Sequence, residues 1–278
     1  MTATHSGIDW TDAFDNSGYV PGSDALVANF ATQAAAFRDD LSARARARLN
    51  LAYGDAPRNR MDLFLPEGAA RGLVVFVHGG YWHRLDNSFW SHLAAGPLAS
   101  GWAVAMPSYT LAPEARISRI TTEIAAAIRF AAGHVDGPVR LIGHSAGGHL
   151  VSRMICAATP LQGDVAGRIA HTVSLSGVHD LRPLLLAAMN ETLQLDAAEA
   201  ATESPALLAP SQSPATFWVG AAERPEFLRQ TRLITEAWQS HGAPVRDVYE
   251  PEMNHFTVVR ALGQPGSPLL QTLLGETT

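Results

Sequence analysis

The 278-residue chain contains no lysine, and all 20 of its basic residues are arginine. That absence removes a Walker A lysine for nucleotide phosphates, a Schiff-base lysine for pyridoxal phosphate, and a Ser-Lys dyad. There is a single cysteine, Cys156, which excludes an intrachain disulfide and any multi-cysteine metal site. Its setting in the apolar stretch 150–156 reads as a buried structural thiol. The 11 histidines include no HExxH or comparable pair, so neither a metal nor another cofactor is expected. Charged residues are only 17% of the chain and the net charge is −6, which gives no footing for a nucleic-acid partner. No window approaches the ~18 uncharged apolar residues of a membrane span. The opening, with Asp9, Asp12 and Asp15, lacks the basic-then-apolar pattern of a secretory signal. A cytoplasmic protein without a membrane partner is the expectation.

Apolar residues make up 47% of the chain, enough for a sizeable core. Residues 25–49 have no Pro or Gly and are predicted helical, with Arg44, Arg46 and Arg48 on a solvated helix face. Strand-like runs then follow at 61–65, 72–77, 102–106, 139–142, 170–176, 216–220 and 245–249. Helical stretches fall between them at 88–99, 117–132, 149–158 and 226–241. The run 72–77 is continuously apolar, as a strand buried on both faces requires. Such alternation predicts an α/β fold with a mostly parallel central sheet and helices on both faces. No internal repeat or linker divides it, so 1–278 is expected to be a single domain, with an N-terminal helical segment over about 1–50.

In a parallel sheet, ligands gather at the carboxyl ends of the strands. After the strand at 139–142 comes Gly143-His144-Ser145-Ala146-Gly147, with small residues two places either side of the serine. That spacing lets the chain turn sharply from strand to helix and lifts the hydroxyl into a cleft. A serine needs a base to become a nucleophile. His255, in the loop after the last strand, is the candidate, and Glu223, after the strand at 216–220, is the candidate acid to orient it. Glu226 and Asp180 are competing acids. His78, His144 and His149 are read as packing or bracing groups. Gly79-Gly80 follows the strand at 72–77, where backbone N–H groups can approach an oxyanion. The donors expected are those of Gly80, Tyr81 and Ala146.

With these residues in place, the chain resembles the α/β-hydrolase superfamily, in the branch that holds kynurenine formamidase (arylformamidase) and related small esterases. The resemblance rests on His78-Gly79-Gly80-Tyr81-Trp82, residues 108–114, the elbow through Leu150, and residues 219–227. The opening from Asp9 to Pro21, with Asn16 and Val20-Pro21, is also similar. It implies a serine hydrolase acting on a small acyl group, formyl or acetyl, of an aryl amide or ester. A broad short-chain carboxylesterase or thioesterase is the alternative, and a non-catalytic binding protein on the same scaffold a remoter one. Formamidases usually carry aspartate where Glu223 stands, and many carboxylesterases carry a third glycine where Tyr81 stands. Tyr81 and Trp82 are candidate substrate-stacking rings as well as candidate wall and core. Residues 181–214 resemble a small cap over the site, and exposed Trp and Leu in the N-terminal segment are a surface a homodimer could use.

Overall fold

The computed structural model describes residues 7–276. Eight strands form one sheet: β1 (Ala47–Ala52), β2 (Arg60–Phe64), β3 (Leu73–Val77), β4 (Ala103–Pro107), β5 (Val139–His144), β6 (Ile169–Leu175), β7 (Ala215–Gly220) and β8 (Val245–Glu250). Their spatial order is β1-β2-β4-β3-β5-β6-β7-β8. From β4 to β8 every neighbouring pair is parallel, and β2 runs antiparallel to both β1 and β4. The mostly parallel sheet with covering helices is the expected architecture.

The apolar run of β3 is explained by its two covered faces. Leu73, Val75 and Val77 belong to one core and Val74 and Phe76 to the other, the period-2 alternation of a strand. On the first face lie the helices Ile117–Ala132, Ala146–Met154 and Pro225–Ser240. Ile117, Ile120, Ile124, Ala127, Ile128 and Ala131 give the first of these its buried stripe. On the second face lie Ser23–Ala43, the turns around Leu93 and Leu98, and the C-terminal helix Pro268–Leu274.

The N-terminal helix stops earlier than its composition predicts. Ala45 takes φ 56°, and the Arg46 N–H reaches back 2.8 Å to the Leu41 carbonyl while the Ala45 N–H bonds that of Ser42. This is a Schellman closure with alanine where glycine is usual, so the sequence carries no visible stop. Arg46 and Arg48 then belong to β1 and its approach rather than to a helix face, and Arg46 bonds the Leu65 carbonyl and Glu67. The stretch 88–99 is likewise broken into turns at Asn87–Phe89 and Ser91–Ala94 and a short helix Ala95–Ala99. Trp10, the one Trp of the N-terminal segment where an exposed ring was expected, is half-buried beside Phe14. No described helix is long and apolar enough to cross a membrane.

The helix after β5 sits hard against β3. A Cβ on Gly147 would lie 2.0 Å from the Val77 carbonyl oxygen, so only glycine permits that approach. Gly147→Ala is therefore expected to push this helix off the sheet and lower stability by roughly 1–3 kcal/mol, the usual cost of core overpacking. Thermal or urea unfolding of the variant checks it, and a change below about 0.5 kcal/mol, the ordinary surface level, would contradict the contact.

Candidate active site

Ser145 stands between the end of β5 and the helix that begins at Ala146, with φ 57° and ψ −118°. A non-glycine residue in that region is strained, and here β6 holds it: the Ser145 N–H donates 2.8 Å to the Leu175 carbonyl. The loop after β8 carries His255. Its Nδ1 is 2.6 Å from Oε2 of Glu223, which follows β7. The other carboxylate oxygen, Oε1, accepts from the Gly220 N–H at 2.9 Å and from the Ser176 hydroxyl at 2.5 Å. Glu223 is thus fixed by three hydrogen bonds in a buried place. With Nδ1 engaged, Nε2 is the ring nitrogen His255 has available for a serine proton.

The competing acids are occupied elsewhere. Both oxygens of Asp180 take Arg182 at 2.9 Å, and Glu226 takes Arg229 at 2.7 Å and Gln230 at 2.7 Å. Ser176 went unnoticed in the sequence because it reads as the last residue of an apolar strand. Its place at the carboxyl end of β6, like that of the other site residues, was the available signal. His144 also does more than pack: its Nε2–H donates 2.8 Å to the His255 carbonyl, which ties the elbow to the histidine loop.

His78, His149 and His179 are buried and structural. His78 bonds the Gly79 carbonyl at 2.7 Å and stacks on Tyr109 at 4.4 Å. Burial pushes His78 down to about 4, and His149 and His179 down to about 3, from 6.5. Burial likewise holds His144 well below its usual value. All four stay neutral at pH 7.

The glycine loop closes on itself, with the Gly80 carbonyl accepting from the His83 and Arg84 N–H groups at 3.1 and 2.8 Å. Gly80 has φ 119°, and a Cβ there would lie 2.2 Å from the Arg84 carbonyl oxygen. Among the described residues, the N–H groups of Gly80, Tyr81 and Ala146 donate to no backbone or side-chain acceptor. A cavity of about 230 Å³ opens here, lined by Gly80, Tyr81, His144, Ser145 and His255, with Leu85, Trp90 and Phe256 as apolar wall. Trp82 is not part of it. Its indole is buried in the core and donates to His149 at 3.3 Å, so the expectation that it stacks on substrate is corrected. Tyr81 does line the cavity, with Arg84 over its ring at 5.3 Å. Arg84 and Asp24 sit at the rim, and neither has an ion-pair partner among the described residues.

Residues 181–214, expected as a cap, contribute nothing to this wall. They fold into short turns held at the side of the sheet by Arg116 to Asp196 and Glu199, and by Arg153 to Glu203. The N-terminal segment supplies the wall instead, through Ser17, Ser23, Asp24 and Val27.

Comparison with known proteins finds similarity over most of the chain. The BD-FAE family model matches residues 61–231, more than half of the chain. Kynurenine formamidase of Salmo salar is 30% identical over 243 residues, 83% of this chain and 82% of that one. The Danio rerio enzyme of the same name is 28% identical over 238 residues, 81% and 80% respectively. A crystal structure of a candidate thioesterase from Silicibacter sp. TM1040 superposes with a TM-score of 0.91 at 47% identity, covering 96% of this chain and 100% of that one.

The neutral histidines set a pH dependence. Their folded-state values lie below the unfolded 6.5, so their contribution is complete above pH 6.5 and is lost as pH falls through the folded values near 4 and 3. At pH 5 each is expected to have forfeited on the order of 2 kcal/mol. Urea midpoints should be flat above pH 7 and drop steeply from 6.5 to 4; a profile level down to pH 4.5 would contradict this. Ser176→Ala should lower kcat/KM roughly tenfold in steady-state assays, by loosening Glu223. An unchanged rate would mean Ser176 does not position the acid.

Proposed function

The chain belongs to the BD-FAE family of α/β-hydrolases, and from that membership we propose a serine hydrolase that works through Ser145, His255 and Glu223. The observation that carries the reading is the buried 2.6 Å contact from Glu223 to His255 Nδ1, beside a strained serine on the same cavity. In this scheme His255 Nε2 takes the Ser145 proton as the hydroxyl oxygen attacks the substrate carbonyl. The tetrahedral oxyanion is met by the N–H groups of Gly80, Tyr81 and Ala146, the last at a helix N-terminus. Each such donor contributes on the order of 3 kcal/mol to the barrier. The imidazolium, stabilised by Glu223, then protonates the leaving group. Water repeats the sequence on the acyl-enzyme.

The substrate is read as a small acyl group, formyl or acetyl, on an aryl amine or alcohol, with N-formylkynurenine the first candidate. Similarity to kynurenine formamidases supports it, as does Tyr81, which narrows the cavity where carboxylesterases often carry glycine. Arg84 and Asp24 at the rim suit the carboxylate and ammonium of an amino-acid leaving group. A short-chain thioesterase or carboxylesterase is the second reading, favoured by the description of the 47%-identical Silicibacter structure.

A paired assay of wild type and Ser145→Ala on N-formylkynurenine and on p-nitrophenyl acetate, butyrate and octanoate tests both. Ser145→Ala is expected to lose at least about 10³-fold in kcat. Serine-dependent deformylation with weak ester turnover supports the formamidase. Acetate turnover with negligible deformylation moves the assignment to a small-acyl esterase. A Ser145→Ala variant that keeps most of its rate would sink the mechanism.

A further inference from the structure

The N-terminal segment starts on one face of the sheet and finishes on the other. Phe14 belongs to the first core, edge-on to Phe227 at 6.1 Å, and Phe30 to the second, 5.6 Å from Trp90. The chain between them passes over the carboxyl edge of the sheet and walls the Ser145 cavity with Ser17, Ser23, Asp24 and Val27. Its middle has one apolar anchor, the buried Val20, while Tyr19 is exposed and Asn16 is buried with no side-chain partner among the described residues. An unpaired buried amide costs about 1–3 kcal/mol, so something else must hold the crossing in place.

Arg224 is that tie. Its guanidinium is 10% exposed and donates to both oxygens of Asp12 at 2.8 and 2.9 Å. Its Nε–H donates to the Asp15 carbonyl at 2.7 Å, and the group lies 4.7 Å from the centre of the Tyr19 ring. A second tie comes from the glycine loop, where the Asn16 N–H donates to the Tyr81 hydroxyl at 3.1 Å. Both ties spring from loops that carry the site, and Arg224 is the residue directly after Glu223.

We propose that residues 15–22, leading into the first turn of the helix Ser23–Ala43, form a strap that restricts the cavity to compact substrates, with Arg224 as the residue that positions it. The proposal rests on the serine-hydrolase reading and adds to it what selects the substrate. A bidentate guanidinium–carboxylate pair fixes distance and orientation together, which a lysine or a single hydrogen bond does not. With the pair intact, Val27 and Ser17 stay against the cavity and a long acyl chain meets them. With it broken, residues 15–22 are held by the Asn16–Tyr81 bond, buried Val20, the Ser23–Ser17 bond and the two flanking phenylalanines, and this short stretch is the part free to shift.

The test compares kcat and KM for p-nitrophenyl acetate and octanoate in wild type, Asp12→Asn, Arg224→Met and Val27→Trp. Asp12 is well exposed and outside the site loops, so Asp12→Asn isolates the tie from any disturbance of Glu223. Arg224→Met and Asp12→Asn are expected to raise the octanoate-to-acetate ratio of kcat/KM, by roughly tenfold and threefold, through a lower octanoate KM. Acetate kcat in Asp12→Asn should stay within about twofold. Val27→Trp, which narrows the cavity without touching the tie, should lower the same ratio. Parallel changes for both esters in Asp12→Asn and Arg224→Met, with no shift in the ratio, would overturn the strap. Labelling of Ser145 by a small fluorophosphonate separates the two ideas. A wild-type protein that does not label overturns the hydrolase reading and the strap with it, whereas intact labelling with unaltered selectivity overturns the strap alone.

Discussion

The buried hydrogen bond between Glu223 and His255 is the constraint on which the site depends. A carboxylate removed from water must have its lone pairs met, and this one is met by His255, Ser176 and the Gly220 N–H, drawn from the loops after β8 and β6 and from the end of β7. With Glu223 itself in the loop after β7, these contacts join the carboxyl ends of β6, β7 and β8. His144 extends them to the elbow by holding the His255 carbonyl. Rotating the carboxylate or withdrawing one donor would shift the imidazole relative to Ser145, and so the geometry on which the proposed proton transfer rests.

Access and chemistry are joined through adjacent residues. Glu223 faces inward to His255 while Arg224 faces outward to Asp12 and the Asp15 carbonyl. One turn of chain thereby holds the imidazole and the wall of the cavity above it. The cluster of neutral buried histidines around the elbow adds rigidity without adding charge, since each ring has a carbonyl, hydroxyl, indole or aromatic neighbour.

Much of this was legible from residue order. The alternation of strands and helices, the elbow at 143–147, and the placing of Gly80, Glu223 and His255 just after strand ends are all local patterns. Their physical causes act over a few residues: period-2 burial, a tight turn, a loop where a strand ends. β1 escaped because its approach, Ala45 to Arg48, has helical composition and its helix ends on a left-handed alanine rather than a glycine. Trp82 was assigned to two roles because an aromatic beside a glycine loop suits either wall or core, and only packing separates them.

By itself the sequence determined the fold class and the chemical types brought to the sheet edge, because both follow from short-range periodicity and spacing. Tertiary structure decided which acid meets His255, for Asp180 and Glu226 differ from Glu223 only in where their partners lie. It also decided what walls the cavity. That wall comes from the N-terminal crossing rather than from residues 181–214, through contacts such as Arg224 to Asp12 that join positions 212 residues apart. No local pattern encodes a pairing of that span; it exists only once the sheet has brought both ends of the chain to one edge.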